Sequence, residues 1–138
     1  DGGNPYANLA KIGSTLYGTT FAGGANGTGV AFKMSKKGVE TVLHAFGSGI
    51  DGAAPYAGLI VVSGKLYGTT VNGGKNGAGT AFSMTTSGTE KVLVNYGGAA
   101  KNAANPWAAL TSLKGALYGT TRQGGGSAGN GTVTTFAP

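Results

Sequence analysis

The chain has 138 residues, of which 40% are hydrophobic and 10% are charged, and its formal net charge is +6. This length is enough for one domain with a modest core, and the hydrophobic fraction excludes a disordered chain. The 29 glycines follow no three-residue period, which excludes collagen. There is no cysteine, which excludes disulfides, thiolate metal sites and cysteine nucleophiles.

The positive charge does not indicate a nucleic-acid partner. The basic residues are scattered along the chain, and only Lys36 and Lys37 are adjacent, so there is no basic stripe. No apolar run approaches the roughly 20 residues of a membrane-spanning helix. The charged fraction lies below the roughly 25% of ordinary soluble domains, and the chain starts at Asp1 rather than Met. We therefore expect an extracellular or cell-surface protein with no nucleic-acid partner and no membrane span.

One pentapeptide organises the sequence. Leu-Tyr-Gly-Thr-Thr occurs at 16–20, 66–70 and 117–121, with spacings of 50 and 51 residues. Such a period predicts a repeat architecture. We divide a single repeat domain, 1–138, into repeat 1 (1–50), repeat 2 (51–101) and an incomplete repeat 3 (102–138).

Each repeat starts with a turn and an aromatic residue. Asp-Gly pairs indicate the turn in repeats 1 and 2, and a proline follows in all three repeats. Directly after the proline stand Tyr6, Tyr56 and Trp107. Since one position of the repeat carries all three aromatic residues, packing between repeats is favoured over three separate binding sites.

Four strands are predicted in repeat 2 from the alternation of apolar and polar residues, with counterparts in repeat 1. They cover 59–62, 66–71, 80–84 and 89–96. The pentapeptide glycine falls inside the second strand, which indicates that a neighbouring backbone or aromatic ring approaches closely there. With the preceding tyrosine it forms the predicted core motif of the repeat: Tyr17, Gly18, Tyr67, Gly68, Tyr118 and Gly119.

Repeat 3 is irregular. Residues 131–136 take the place of the third strand, with Thr134 where repeat 2 has Phe82, and no fourth strand is predicted. The sequence thus predicts 11 strands. An uncovered strand edge is a template for pairing with another chain, so we expect an assembly edge at Thr132, Val133, Thr134, Thr135 and Phe136.

The repeat resembles a bacterial family. Its motif is aromatic-Ala-x-Leu, then Leu-Tyr-Gly-Thr-Thr-x-x-Gly-Gly, then Gly-Thr-x-Phe, then Val-Leu-x-x-Phe/Tyr-Gly. This motif resembles the extracellular choice-of-anchor tandem repeat proteins, also called GloVer-containing, and is similar to the blades of two-component-regulator and kelch-type β-propellers. The resemblance implies a surface or secreted location and a propeller-like fold, with no defined activity.

Three architectures are compatible with an all-β chain of three antiparallel, four-stranded repeats, the last lacking its fourth strand. A β-propeller needs roughly 4–8 blades, so three blades would be half of a ring made by two chains or part of an open stack. A three-fold β-prism and a β-trefoil are the alternatives. We favour propeller-like blades.

The acidic residues do not indicate an enzyme. Asp51 is the repeat equivalent of Asp1, and Glu90 is that of Glu40. Catalysis needs groups in unlike environments that converge on one site, whereas equivalent positions of successive repeats have like environments. We expect both aspartates to brace turns, and both glutamates to face solvent near Lys37 and Lys91.

The single histidine, His44, takes the place of Val94 in the next repeat, and we interpret it as structural. One histidine supports neither a catalytic triad nor a histidine metal cluster. The Asp-Gly turns lack the alternating carboxylates of a calcium loop, and residues 73–77 lack the spacing of a phosphate-binding loop. We predict no catalytic residue, no cofactor and no metal site.

Two functions of different classes remain. The first is a structural subunit that self-associates, as a homo-oligomer or polymer, through incomplete sheet edges into a filament, ring or surface layer; this is the interpretation that we favour. The second is a lectin-like module that binds polysaccharide. Its candidate residues are the three aromatic residues of the repeat, or Asn26, Asn76 and Asn130 in the loops.

Overall fold

The computed structural model describes residues 1–98, 103–125 and 129–138. These residues form 15 β-strands and no helix, so the all-β prediction is confirmed. In this part of the chain there is consequently no helix with the length and apolar character needed to cross a membrane. The predicted boundary between repeats 2 and 3, at 101 and 102, lies outside the described residues.

Three antiparallel sheets follow one another along the chain. Sheet 1 has the order β2-β3-β5-β6, sheet 2 the order β8-β9-β11-β12, and sheet 3 the order β13-β14-β15. The strands of sheet 1 are β2 (Ala10–Ile12), β3 (Thr15–Thr20), β5 (Val30–Met34) and β6 (Glu40–Ala45). Those of sheet 2 are β8 (Ile60–Val62), β9 (Lys65–Thr70), β11 (Thr80–Met84) and β12 (Glu90–Asn95). Those of sheet 3 are β13 (Thr111–Leu113), β14 (Ala116–Thr121) and β15 (Thr132–Phe136).

Four further strands are only two residues long, and the sequence did not predict them. β1 (Gly2–Gly3) pairs with β4 (Ala22–Gly23), and β7 (Gly52–Ala53) pairs with β10 (Asn72–Gly73). Each of these strands contains glycine and is too short to show an alternation of apolar and polar residues. They join the start of a repeat to the turn after its pentapeptide.

The second threonine of the pentapeptide braces that turn. Thr70 donates its hydroxyl to the carbonyl of Asn72 (3.0 Å) and accepts the amide hydrogen of Thr80 (3.0 Å). Thr20 and Thr121 make the equivalent pairs of hydrogen bonds in repeats 1 and 3. A hydroxyl donates and accepts at once, which accounts for threonine at this position in all three repeats.

The pentapeptide glycine lies under an aromatic ring in the two four-stranded sheets. A Cβ on Gly68 would lie 2.7 Å from Cζ of Phe82 and 2.9 Å from Cδ2 of Leu59. Phe32 and Leu9 crowd Gly18 in the same way. These contacts account for glycine inside a strand.

The central strands differ in how many of their faces are covered. In β9 every residue after the first is buried, although its side chains alternate between the two faces. In β14 the buried residues Leu117, Gly119 and Thr121 alternate with the exposed residues Tyr118 and Thr120. Sheet 2 is therefore covered on both faces around β9, whereas β14 of sheet 3 has one open face.

Replacing Gly68 with alanine is expected to lower the free energy of unfolding by about 1–3 kcal/mol, because the added methyl group overpacks a fixed core. The loss at Gly119 should be smaller, because a Cβ there would lie 2.8 Å from Leu110 Cδ2 but 3.6 Å from Thr134 Oγ1. Gly3→Ala is the control, since its nearest contact would be 3.7 Å away. Urea denaturation measures all three, and equal losses would contradict the packing that we describe.

Candidate functional site

The contact between successive sheets is made twice, by equivalent residues. Thr19 donates its hydroxyl to the carbonyl of Ala57 at 3.1 Å, and Thr69 donates to the carbonyl of Ala108 at 3.4 Å. These donors are the first threonine of the pentapeptide in repeats 1 and 2. The first threonine of the pentapeptide thus makes a hydrogen bond between repeats, whereas the second makes its hydrogen bonds within a repeat.

The turn at the start of each repeat docks on the loop of the preceding repeat. The amide of Ala54 donates to the carbonyl of Thr28 (2.8 Å), and the amide of Asn105 donates to that of Ala78 (2.9 Å). The prolines that follow, Pro55 and Pro106, are fully buried. The proline in the turn motif is therefore part of the contact between repeats.

The largest side chains differ between the first contact and the second. Between sheets 1 and 2, Phe46 packs on Phe82 with a centroid separation of 5.1 Å. Between sheets 2 and 3, the Tyr96 hydroxyl lies 3.2 Å from Thr134 Oγ1 in a hydrogen bond. An aromatic pair contributes about 0.5–1.5 kcal/mol beyond area burial, and a hydrogen bond contributes about as much. The departure of repeat 3 from the motif at Thr134 is thus compensated at Tyr96.

Each half of this contact is exposed at one end of the described structure. The pentapeptide tyrosine is 5% exposed at Tyr17 and 3% at Tyr67, but 37% at Tyr118. The leucine of the aromatic-Ala-x-Leu motif lies in one core cluster with the pentapeptide tyrosine of the preceding repeat. This leucine is 6% exposed at Leu59 and 3% at Leu110, but 47% at Leu9. Repeat 1 therefore presents one unpaired half of the contact and repeat 3 presents the other.

We name these two surfaces by their residues. The front face is Pro5 and Leu9 of repeat 1, and the rear face is Ala108, Tyr118 and Thr120 of repeat 3; all five residues are exposed. At the internal contacts, the equivalents of Pro5 are fully buried and the equivalents of Thr120 donate hydrogen bonds. The two faces are complementary halves of one contact.

The three aromatic residues expected at one position form a continuous row. The ring centroids of Tyr6 and Tyr56 are 5.0 Å apart, and those of Tyr56 and Trp107 are 4.8 Å apart. Phe21 packs edge-on against both tyrosines, and the Arg122 guanidinium lies 5.5 Å from the Trp107 ring centroid. The row crosses all three repeats, and Tyr6 and Trp107 are exposed. These residues form one surface rather than three separate ones.

The asparagines named as candidates for ligand binding have structural contacts in two of the three loops. Asn26 donates its amide to the carbonyl of Phe46 (2.9 Å), and Asn76 donates to that of Tyr96 (2.9 Å). Asn130 is exposed, and its backbone forms an isolated β-bridge with Gly124. The first two asparagines tie their loops to the end of the fourth strand.

The predicted assembly edge lies on β15. Thr132, Thr134 and Phe136 are half-buried, and Val133 and Thr135 are exposed. In sheets 1 and 2 the corresponding strands, β5 and β11, lie between two neighbours, whereas β15 pairs only with β14 among the described strands. A cavity of about 360 Å³ lies beside this edge, between Tyr96, Ala103 and Phe136.

Three titratable side chains from repeats 1 and 2 meet between β6 and β12. His44 Nε2 lies 2.7 Å from Asp51 Oδ2, and the facing atoms of His44, Asp51 and Glu90 all lie within 4.8 Å of one another. All three side chains are half-buried. The expectation that Glu90 faces solvent is therefore wrong, because β12 packs against the preceding sheet, whereas Glu40 is exposed as expected.

The backbone orients this cluster. Asp51 accepts the amide hydrogen of Gly52 on Oδ1 at 2.6 Å, which leaves Oδ2 for His44. The expectation that Asp51 braces a turn agrees with this bond. For Asp1 it is the backbone carbonyl that receives a turn hydrogen bond, from Gly24 at 2.9 Å, while its side chain is exposed.

The surroundings shift the pKa values of two members of the cluster. Burial, together with the nearby charge of Asp51, raises the pKa of Glu90 to about 7, and His44 opposes the shift. The hydrogen bond that His44 donates to Asp51 raises the pKa of His44 against the opposing effect of burial. Apart from the three residue types, nothing in the sequence indicates this cluster, because its members lie 7 and 39 residues apart along the chain.

The chain matches a known protein family over most of its length. The family model described as the Gloeobacter/Verrucomicrobia repeat matches residues 1–134. No curated protein matches the chain.

The raised pKa of Glu90 predicts that the protein loses stability as the pH rises from about 5 through about 7, because the unfolded chain releases this proton more readily. The raised pKa of His44 acts in the same direction, since its stabilisation is complete below the ordinary pKa and is lost above the raised one.

Glu90→Gln is therefore expected to be more stable than the wild type above neutral pH, by on the order of 1 kcal/mol after allowance for solvent screening. Glu40→Gln is the matched control, because Glu40 is the exposed repeat equivalent. Urea unfolding across this pH range, in buffer with a chelator, measures the difference. Parallel curves for the wild type and Glu90→Gln would contradict the assignment.

Proposed function

This chain belongs to the Gloeobacter/Verrucomicrobia repeat family, as its sequence motif predicted, and on that premise we propose that it is a structural subunit that associates head to tail with further copies of itself. The rear face of one copy binds the front face of the next through the contact that already joins its own sheets. One observation carries the proposal. The proline, leucine, tyrosine and first threonine of this contact are buried where two repeats meet, whereas Pro5, Leu9, Tyr118 and Thr120 are exposed at the two ends.

The chemistry of the two faces supports this pairing. Thr120 has the donor role of Thr19 and Thr69, and the carbonyl of Ala7 on a second copy corresponds to the acceptors Ala57 and Ala108. Leu9 would be covered as Leu59 and Leu110 are covered within the chain, and full burial of a leucine contributes about 1.5–3 kcal/mol. Such a heterologous contact continues from copy to copy until a ring closes or a filament forms.

The edge of β15 adds a second point of attachment. Its outer side has no strand partner among the described residues, and an uncovered edge accepts a strand from another chain. We propose that a neighbouring copy supplies this strand and fills the cavity beside Phe136. Sheet 3 would then have the four strands of sheets 1 and 2.

We also propose that the sheets are arranged as propeller-like blades. Each sheet is built from strands of one repeat in simple sequential order, and the first strands of sheets 1 and 2, β2 and β8, contact each other. Innermost strands that meet around an axis are typical of a propeller. The absence of ladders between main strands of different sheets, within the described residues, favours blades over a β-trefoil. The three sheets of one chain would form part of a larger ring or an open stack.

The proposal assigns no catalytic activity to the chain and places it at the cell surface or outside the cell. The low content of charged residues in the chain and the resemblance to an extracellular family support that location.

The head-to-tail contact predicts that the molecular mass increases with concentration above the 13.4 kDa of a single chain. Thr120→Lys and Leu9→Lys should each weaken association more than tenfold, because each places a desolvated charge in the contact. Light scattering after size exclusion measures the mass, and negative-stain electron microscopy shows whether rings or filaments form.

Ser112→Lys is the matched control for these variants. Ser112 is exposed on β13, and its repeat equivalents Lys11 and Val61 are exposed as well, so this position lies outside the contact. A wild-type chain that stays monomeric at high micromolar concentration would overturn the proposal. Equal effects of Thr120→Lys and Ser112→Lys would also count against it.

Carbohydrate binding is a second candidate function, favoured by the aromatic row. Tyr6, Tyr56 and Trp107 present a continuous strip beside a cavity of about 420 Å³ that is also lined by Asn8. Aromatic rings suit sugar faces, and Asn8 adds an amide. The rings cover part of one another, so the strip would bind an extended polysaccharide along exposed ring edges rather than single sugars on ring faces.

If this surface binds polysaccharide, the fluorescence of Trp107, the only tryptophan, should change on binding. Tyr56→Ala should weaken binding without changing the mass of the assembly, because Tyr56 lies between the first and last rings of the row and not at an end of the chain. A glycan array identifies the ligand and fluorescence titration measures its affinity. The absence of any polysaccharide hit on the array would reject this second function and leave the first untouched.

A further inference from the structure

We propose that His44, Asp51 and Glu90 form a binding site for a divalent first-row transition-metal ion such as Zn²⁺. The site lies where sheet 1 meets sheet 2. This inference is independent of the proposed assembly, because the three residues lie on neither the front face nor the rear face.

The donor set favours a transition metal over calcium or magnesium. Imidazole nitrogen and carboxylate oxygen are both ligands of Zn²⁺, and open zinc sites have three protein ligands, whereas Ca²⁺ and Mg²⁺ are bound by oxygen. Two carboxylates and one neutral imidazole also balance the charge of a divalent cation. Three protein ligands leave further positions for water or another ligand, and the His44 side chain is 24% exposed to solvent.

The geometry needs only small adjustments. Ligands at zinc distances stand about 3.4 Å from one another in a tetrahedral site. His44 Nε2 and Asp51 Oδ2 are now 2.7 Å apart, and all three donor atoms lie within 4.8 Å. The first pair has to open by about 0.7 Å, and Glu90 has to close by up to about 1.4 Å through rotation of its side chain.

An unsatisfied oxygen points to a missing ligand. Glu90 Oε1 is buried and has no hydrogen-bond partner among the described residues. A buried carboxylate oxygen without a partner costs free energy. A cation held jointly with His44 and Asp51 would satisfy it.

The surrounding structure already orients the ligands. The amide of Gly52 holds Asp51 Oδ1, so that Oδ2 faces the cluster. The His44 ring packs edge-on against Phe46 with a centroid separation of 4.8 Å. Such outer contacts fix the direction of metal ligands and raise affinity.

The site is specific to the first contact between sheets. Val94 occupies the position of His44 in the next repeat, and Glu40 is exposed at the position of Glu90. A bound ion would join the last strands of sheets 1 and 2, β6 and β12, and so lock one contact of the domain.

Zinc titration of the full chain, after treatment with a chelator, tests the site. Isothermal titration calorimetry should give one ion per chain with micromolar affinity, and Zn²⁺ should raise the melting temperature by several degrees while Ca²⁺ leaves it unchanged. Since the chain has a single histidine and no cysteine, the imidazole nitrogen signals in NMR report on His44 alone. They should shift on addition of Zn²⁺.

His44→Val and Glu90→Gln should each weaken Zn²⁺ binding at least about tenfold. Val is the residue of the next repeat at this position, and Gln has the same shape as Glu, so both variants are expected to fold. Glu40→Gln is the control that should bind like the wild type. Failure of Zn²⁺ to bind at submillimolar concentration, or binding that His44→Val leaves unchanged, would overturn the inference, whatever the state of assembly.

Discussion

The packing of one sheet against the next is the interaction on which the rest of this structure depends. Each main sheet has only three or four short strands, and a small sheet with a single covered face has little apolar area to bury. Sheet 2 reaches full burial around β9 because neighbours cover it on both sides. All five residues of the pentapeptide serve this packing in repeat 2. Leu66 and Tyr67 are buried, and Gly68 admits the Phe82 ring. The first threonine donates a hydrogen bond to the next repeat, and the second makes its hydrogen bonds within its own repeat. Because the same contact joins each sheet to the next, the first and last sheets each present one half of it without a partner among the described residues. These two exposed halves are the reason for proposing association.

Much of the fold could be predicted from the sequence, since the alternation of apolar and polar residues indicates most of the longer strands. Val30–Met34 and Thr80–Met84 lie where the pattern placed them. The short glycine-containing strands had no such pattern. The contact between Thr19 and Ala57 was equally hidden, because it joins residues 38 positions apart and its acceptor is a backbone carbonyl, which every residue has.

The cluster of His44, Asp51 and Glu90 shows where reasoning from repeats fails. Equivalent residues of successive repeats do lie in like environments within their own sheets, but inequivalent residues meet where two sheets face each other. Glu90 therefore lies beside His44 of the preceding repeat, whereas Glu40 is exposed to solvent. The departures from the repeat are informative for the same reason. Tyr96 with Thr134, and His44 with Glu90, are positions where one contact differs from the other.

Disulfide trapping between copies tests the central claim most directly. Within the chain, a Cβ on Gly58 would lie 3.5 Å from that of Ala7, at the short end of the roughly 3.5–4.5 Å that a disulfide spans. The equivalent pair across a head-to-tail contact is Asn8 of one copy and Ala108 of the next. Mixing Asn8→Cys chains with Ala108→Cys chains under mild oxidation should give a cross-linked heterodimer far faster than either variant alone dimerises. Ala57→Cys with Ala109→Cys in one chain, the equivalent pair of the second internal contact, is the internal control, because a Cβ on Gly58 would lie 2.9 Å from the carbonyl oxygen of Asn8. A mixture that cross-links no faster than its separate components, while the internal pair closes, would contradict the account.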